Sequence, residues 1–184
     1  MNITSRSWRR IAAASAACCA ILLPSMALAA RNAPPPTHPS AHAAATPACQ
    51  TPGLVIWLDT NGNGTAGSVF YNLQFTNLSG HACALNGFPF IHAIGLSGQL
   101  TGRRAAFTSA TPRAVTLTKG ATATAVLQLV DVGNFPPSRC KPKTAAGFEV
   151  FPPNQTRAKI VPFPFGACSN TNGPVFMRVA PVTR

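Results

Sequence analysis

Residues 59–64, DTNGNG, match the first half of an EF-hand calcium loop, in which oxygens at alternate positions bind the ion. Such a loop requires a bidentate glutamate at its twelfth position, which is Phe70 in this chain. Only Asp59 brings a charge, and the alternating sequence that follows places Phe70 in a β-strand. We therefore predict no metal site. We expect a hairpin loop with residues 61–64 at its tip, where glycines allow positive φ.

The side chains that commonly catalyse hydrolysis are scarce. The three carboxylates, Asp59, Asp131 and Glu149, are scattered along the chain, whereas a glycosidase needs two of them about 5–10 Å apart. His81 and His92 are the only histidines after residue 48, and no G-x-S-x-G motif accompanies them. We expect His81 to be solvated and His92 to lie at the edge of the core. The sequence predicts no enzyme, no catalytic residue and no cofactor, with an unrecognised Ser–His–Asp hydrolase as the alternative.

Basic residues offer a different chemistry, the binding of anions. The chain has 15 Lys and Arg against 3 acids, which gives a formal net charge of +12. A field of this sign attracts polyanions over a long range. The alternative is basic charge dispersed over the surface for solubility. The candidate anion-binding residues are Arg103, Arg104, Arg113, Arg139, Lys141 and Lys143.

The N-terminus indicates export. Arg6, Arg9 and Arg10 precede an apolar run at 11–23, and residues 27–29 form an A-x-A cleavage site. An uncleaved anchor helix and a lipoprotein signal are the alternatives. The predicted segments are a signal peptide (1–29), an Ala/Pro-rich disordered linker (30–48) and a folded domain (49–184). We expect a secreted, periplasmic or cell-envelope location. The exported chain keeps 12 cations and 3 acids, or about +9.

Four cysteines remain after the signal segment, and an even number in an exported domain argues for disulfides. Spacing alone allows three connectivities. Two strand candidates lie between Cys49 and Cys83, and two more lie between Cys140 and Cys168, so hairpin formation would bring each pair together. We therefore predict the bonds Cys49–Cys83 and Cys140–Cys168. Zinc binding is disfavoured because no short C-x2-C pair exists.

The elements that must position these residues are β-strands. In VFYNLQF, beginning at Val69, four apolar side chains fall on one face and polar ones on the other, and only Phe70 breaks the alternation. ATATAVLQL, beginning at Ala121, repeats the pattern. Pro and Gly interrupt the sequence at short intervals, and no amphipathic helix is evident. The prediction is an all-β, Ig-like antiparallel β-sandwich with two disulfides. Pro162 and Pro164 are expected at a strand end or on an edge strand, because proline cannot donate to a ladder.

The predicted strands also suggest where several side chains lie in the fold. Trp57 lies in the continuous apolar run LVIWL and is expected in the core beside a disulfide. Phe88 and Phe90 are expected to be core anchors. Asn77 is expected to bond nearby backbone at the end of its strand.

Three phrases together resemble one family. They are YNLQFTNLSGHACALNGFPFI at 71–91, LTKGATATAVL at 117–127 and FEVFPPNQT at 148–156. They are similar to the ordered blocks of a bacterial exported domain of unknown function with four cysteines. Lys119 stands where that family usually has proline. The resemblance implies an exported Ig-like β-sandwich, often tethered to the envelope, and it carries over no catalytic residues.

The combined expectation is a non-catalytic exported domain that binds or decorates an anionic cell-envelope component, either a polymer or a lipid surface. The alternative is a protein-partner module of the adhesin or inhibitor type. Nucleic acid is a less natural partner outside the cell, and no small-molecule cofactor is expected.

Overall fold

β-Strands make up about half of residues 45–184, the part of the chain that the computed structural model describes. The predicted signal peptide and residues 30–44 of the predicted linker lie outside the described residues. Within residues 45–184, no helix has the length and apolar character needed to cross a bilayer. The strands are β1 (Leu54–Thr65), β2 (Ser68–Asn77), β3 (Cys83–Leu85), β4 (Phe90–Gly95), β5 (Leu100–Thr101), β6 (Ala106–Phe107), β7 (Val115–Leu117), β8 (Thr122–Val130), β9 (Pro142–Phe151), β10 (Lys159–Cys168) and β11 (Met177–Val179). The helical turns are two 3-10 segments, Thr51–Gly53 and Val132–Asn134, and a four-residue helix, α1 (Pro137–Cys140).

The strands form two main sheets and one small sheet. The first has the order β1-β2-β8-β11-β6, the second has the order β10-β9-β4-β5, and β3 pairs with β7. All pairings between strands are antiparallel except the two-residue contact between β6 and β11, which is parallel. The predicted all-β, Ig-like antiparallel sandwich with two disulfides is confirmed.

The core lies between the two main sheets and follows the predicted alternation. Leu73 and Phe75 of β2, and Ala123 and Leu127 of β8, are buried in one cluster with Phe148 of β9 in the other sheet. Full burial of a large apolar side chain stabilises a fold by about 1.5–3 kcal/mol, so the alternation in these strands fixes which sheet faces meet. The edge strand β10 carries Pro162 and Pro164, as predicted.

Trp57 is not in the core, and that prediction is wrong. Trp57 is 45% exposed and Val55 is 43% exposed, whereas Leu54, Ile56 and Leu58 are buried. β1 is an edge strand of the first sheet, and only one of its faces meets the second sheet. A continuous apolar run therefore has one buried and one outward face here, and Trp57 lies on the outward face.

The DTNGNG stretch is not a hairpin tip, so this expectation is also wrong. β1 continues to pair with β2 as far as Thr65 and Ser68, and the tip consists of residues 66–67. A bulge sets residues 60–62 opposite the single residue Tyr71. An added Cβ on Gly62 would lie 2.7 Å from the Tyr71 ring, so this glycine is required for close approach. The positive φ of the hairpin belongs to Gly67.

Both predicted disulfides are present. Cys49 bonds Cys83 and encloses β1 and β2, and Cys140 bonds Cys168 at the open end of the β9–β10 hairpin. Each bond removes conformational freedom from the unfolded chain and stabilises the fold by about 2–4 kcal/mol. Disulfides of this kind persist in oxidising compartments, and they indicate an extracellular or envelope location.

Asn77 joins three segments at the end of β2. Its side chain is fully buried, and its Nδ2 donates to the backbone oxygens of His81 (3.0 Å), Leu117 (3.0 Å) and Thr118 (3.3 Å). Its Oδ1 accepts from the backbone N–H (2.9 Å) and the hydroxyl (2.6 Å) of Ser79. The predicted local backbone bond is therefore present, and the contacts to the segment after β7 extend beyond it.

We expect Asn77→Ala to lower the free energy of unfolding by about 2–4 kcal/mol, because it leaves several buried polar groups without partners. Asn72→Ala is the matched control, since Asn72 is exposed on the same strand, and its effect should stay within about 0.5 kcal/mol. Urea denaturation measures both. Equal effects of the two substitutions would contradict the role given to Asn77.

We expect Trp57→Ala to cost less than about 1 kcal/mol, because it removes only cross-strand contacts on an exposed face. Phe75→Ala, on the neighbouring strand but fully buried, should cost about 3–5 kcal/mol. The same denaturation experiment tests both values, and a loss at Trp57 as large as that at Phe75 would place the indole in the core.

Candidate functional site

The three acids lie on different elements of the sandwich. Asp59 is on β1, where its carboxylate accepts from the N–H of Asn61 (3.0 Å), and Asp131 follows β8 and accepts from the N–H of Gly133 (2.9 Å). Glu149 is on β9, opposite His92 of β4. In the described part of the chain, no three His, Cys, Asp or Glu side chains are grouped so that they could bind a metal ion. As predicted, His81 is exposed and His92 is half-buried.

Residues 168–175 comprise the last residue of β10 and the loop that follows it toward β11, and we call them the 168–175 loop. They contact the segments that carry most of the basic candidates. The backbone oxygen of Lys141 accepts from the N–H (3.1 Å) and the hydroxyl (2.7 Å) of Ser169. The backbone oxygen of Arg139 accepts from Asn170 Nδ2 (2.9 Å). Together with the Cys140–Cys168 bond, these contacts fix residues 139–143 against the 168–175 loop.

The loop that carries Arg103 and Arg104 lies against the same 168–175 loop. Gly102 has φ of +66°, and a Cβ at this position would overlap the backbone oxygen of Cys168. A cavity of about 330 Å³ separates the two loops, and its lining includes Arg103, Arg104 and Thr171. The glycine is therefore needed for the two loops to approach each other.

Lys143 pairs with Ala167 of β10, next to the 168–175 loop, and lines a second cleft of about 310 Å³. The β4–β5 turn contributes Leu96, Ser97 and Gln99 to the lining of this cleft. The backbone therefore gathers five of the six predicted basic residues around the 168–175 loop. We call this group the basic cluster, and all of its side chains are exposed; it consists of Arg103, Arg104, Arg139, Lys141 and Lys143.

Arg113 is the candidate that the fold places elsewhere. It is exposed on the loop before β7, and β7 pairs with β3 beside the Cys49–Cys83 bond. The sequence did not show that Arg113 would lie apart from the other five basic candidates. Those five come together because β9 pairs with β10 and because a disulfide joins the two strands at their open end.

An aromatic group borders the basic cluster at Arg104. The guanidinium carbon lies 5.3 Å from the ring centroid of Phe90 and 5.4 Å from that of Phe107. Phe88 stacks on Phe107 with 4.5 Å between centroids. Phe90 is 43% exposed and Phe88 is half-buried, so the prediction that both anchor the core is wrong. Phe90 is the first residue of β4 and lies at the surface, where its ring contacts Phe107 and Arg104.

A further cavity, of about 450 Å³, opens between the β1–β2 tip and β10. Its walls include Val69, Tyr71, Asp131, Phe163 and Phe165, and the Tyr71 and Phe163 rings are 5.0 Å apart. Sequence reasoning assigned Tyr71 to the inward face but missed the cavity. Tyr71 is half-buried and lines this cavity, which strand patterning does not report.

The fold and site define a disulfide-bonded β-sandwich with a basic cluster and an adjoining aromatic group. The family described as Domain of unknown function (DUF4232) matches residues 49–183, and the chain belongs to this family. Comparison with curated proteins and with solved structures found no match to either.

We expect Gly102→Ala to destabilise the domain more than Gly98→Ala, by at least about 1 kcal/mol. Both glycines have positive φ, so both substitutions carry the backbone strain of about 1–2 kcal/mol. Only at Gly102 does the new Cβ also meet the Cys168 carbonyl, while Gly98 has open space around it. Denaturant unfolding measures the difference, and equal values would show that the two loops are not in tight contact.

Proposed function

We propose that this protein is a non-catalytic exported domain that binds an anionic component of the cell envelope, a polymer or a lipid surface, through the basic cluster. The disulfides and the predicted leader support its export, and the separate positions of the three acids support a binding role over a catalytic one. No cofactor takes part in this proposal, and nucleic acid is disfavoured by the exported location.

The observation that carries the proposal is the attachment of five basic residues to one loop. Residues 45–184 contain 11 Lys and Arg against 3 acids, so the whole domain also attracts anions. A basic residue near an anionic surface contributes about 1 kcal/mol, so the cluster supplies roughly 5 kcal/mol. Alone, this corresponds to a Kd of about 0.2 mM. A ligand with many charges therefore suits the site better than a free small anion, because repeated contacts raise the effective affinity.

A second candidate function is a protein-partner module of the adhesin or inhibitor type. The outward face of the first sheet favours it, because Val55, Trp57 and Val126 are exposed there. Around them, Thr124 donates to Gln74 (2.9 Å), and Thr76 and Thr122 share a hydrogen bond (2.9 Å). Mixed apolar and polar surfaces of this kind resemble the composition of protein interfaces.

The first proposal predicts that reversing charge in the basic cluster weakens binding more than reversing it elsewhere. We expect the double variant Arg103→Glu/Lys143→Glu to lose at least about tenfold in affinity for vesicles containing phosphatidylglycerol or for an anionic polymer. Arg113→Glu/Lys119→Glu makes the same change in net charge on the two sides of β7 and should lose less than about threefold.

Co-sedimentation at several salt concentrations measures these affinities, and binding should fall as salt rises, because salt screens exposed charges. Equal losses in the two double variants would indicate dispersed surface charge. No retention of the unaltered protein at low salt would end the proposal. A protein partner that resists high salt and is lost with Trp57→Ser would favour the second candidate.

A further inference from the structure

We propose that Arg104 is the residue of the basic cluster that recognises an individual oxyanion group, a carboxylate or a phosphate, at the mouth of the 330 Å³ cavity. This inference rests on the proposed function and deepens it. The remaining cluster residues attract negative charge over a distance, whereas Arg104 selects the geometry of the anionic group.

The environment of the Arg104 guanidinium differs from that of an ordinary surface arginine. Its carbon lies within 6 Å of the centroids of both Phe90 and Phe107, the range in which a cation is attracted to a ring face. These two rings meet at 74° with 5.2 Å between their centroids, and together they form a corner in which the guanidinium sits. Ring contacts do not occupy the N–H donors, so five donors in a planar fork remain for an oxyanion.

The backbone on both sides of Arg104 is fixed before any ligand binds. On one side, Gly102 lies against the Cys168 carbonyl. On the other side, Ala105 is buried, and its N–H donates to the backbone oxygen of Ile91 (2.9 Å). Phe107 pairs with Val179 of β11, which fixes one wall of the corner. Since the site does not have to order this loop on binding, little of the interaction is lost to conformational entropy.

The cavity beside Arg104 sets the size of what can enter. Its volume of about 330 Å³ is near the lower limit for ligand pockets, about 300 Å³, so it accepts one charged unit of a polymer or one lipid headgroup. Thr171 contributes a hydroxyl to the lining, which can donate to a second oxygen of the same group. Arg103 lines the cavity too, without a ring contact among the cation–π pairs of residues 45–184.

Replacing arginine by lysine tests this inference, because lysine keeps the positive charge but loses the planar fork and the stacking. We expect Arg104→Lys, made in the full chain, to weaken binding to polygalacturonate and to poly(glycerol phosphate) at least about tenfold. Arg113→Lys makes the same replacement at an exposed arginine outside the basic cluster, and it should change the affinity for either polymer less than about twofold. The slope of log K against log salt should be the same in both variants, because their net charge is unchanged.

The two polymers and phosphatidylglycerol vesicles separate the sources of the oxyanion. If Arg104→Lys loses most affinity for poly(glycerol phosphate), the oxyanion belongs to a phosphodiester polymer. The largest loss for polygalacturonate would assign it to a carboxylate polymer, and the largest loss for vesicles would assign it to a lipid headgroup. Phe107→Leu provides a second variant, since it keeps Arg104 and removes one ring face. It should lose affinity severalfold, and thermal unfolding would establish that each variant is folded.

Arg104→Lys binding within twofold of the unaltered protein would overturn the inference and reduce Arg104 to a cover for two exposed rings. In that case Arg103→Glu/Lys143→Glu would still lose binding, so the broader proposal of anion binding would survive. Equal losses for Arg113→Lys and Arg104→Lys would also overturn it. Absence of binding to all three probes would overturn both proposals together.

Discussion

The covalent bond between Cys140 and Cys168 is the constraint on which the candidate site depends. It lies at the open end of the β9–β10 hairpin, where backbone pairing between the two strands ends. From Cys168 the chain enters the loop that contacts both Gly102 and residues 139–143. Without the crosslink, only hydrogen bonds and side-chain packing would keep these segments together, and both weaken at strand ends.

This constraint matters because the segments it joins carry charges of one sign. Like charges near each other repel, and each of the three acids lies outside the 168–175 loop: Asp59 on β1, Asp131 after β8 and Glu149 on β9. The stability of the sandwich core and its disulfides therefore outweighs the repulsion. Bound negative charge would reduce this repulsion.

Period-two patterns and hairpin connectivity were sufficient to predict β2, β8, the sandwich and both disulfides, since each depends on local alternation or on strands close in sequence. Burial in β1 was not predictable in the same way. Trp57 is exposed because β1 buries only one of its two faces, and an unbroken apolar run such as LVIWL does not show which residues face outward. The hairpin tip was misplaced because the β1 bulge depends on Tyr71 of the partner strand. The corner brings together Phe90 at the start of β4, Phe107 of the short strand β6 and Arg104 of the loop before it. No local sequence pattern predicts that these three residues meet.

The first disulfide has a mechanical consequence. The backbone at Pro47 and Cys49 pairs with Ala84, and Cys49 is bonded to Cys83 on the same small sheet. Tension applied through the residues that precede Cys49 therefore passes across the sulfur–sulfur bond directly to β3, and it bypasses the 33 residues between the two cysteines. The β1–β2 hairpin cannot be peeled open from its N-terminal end while that bond is intact. A load on this side of the domain is carried by a covalent link and then by the pairing of β3 with β7.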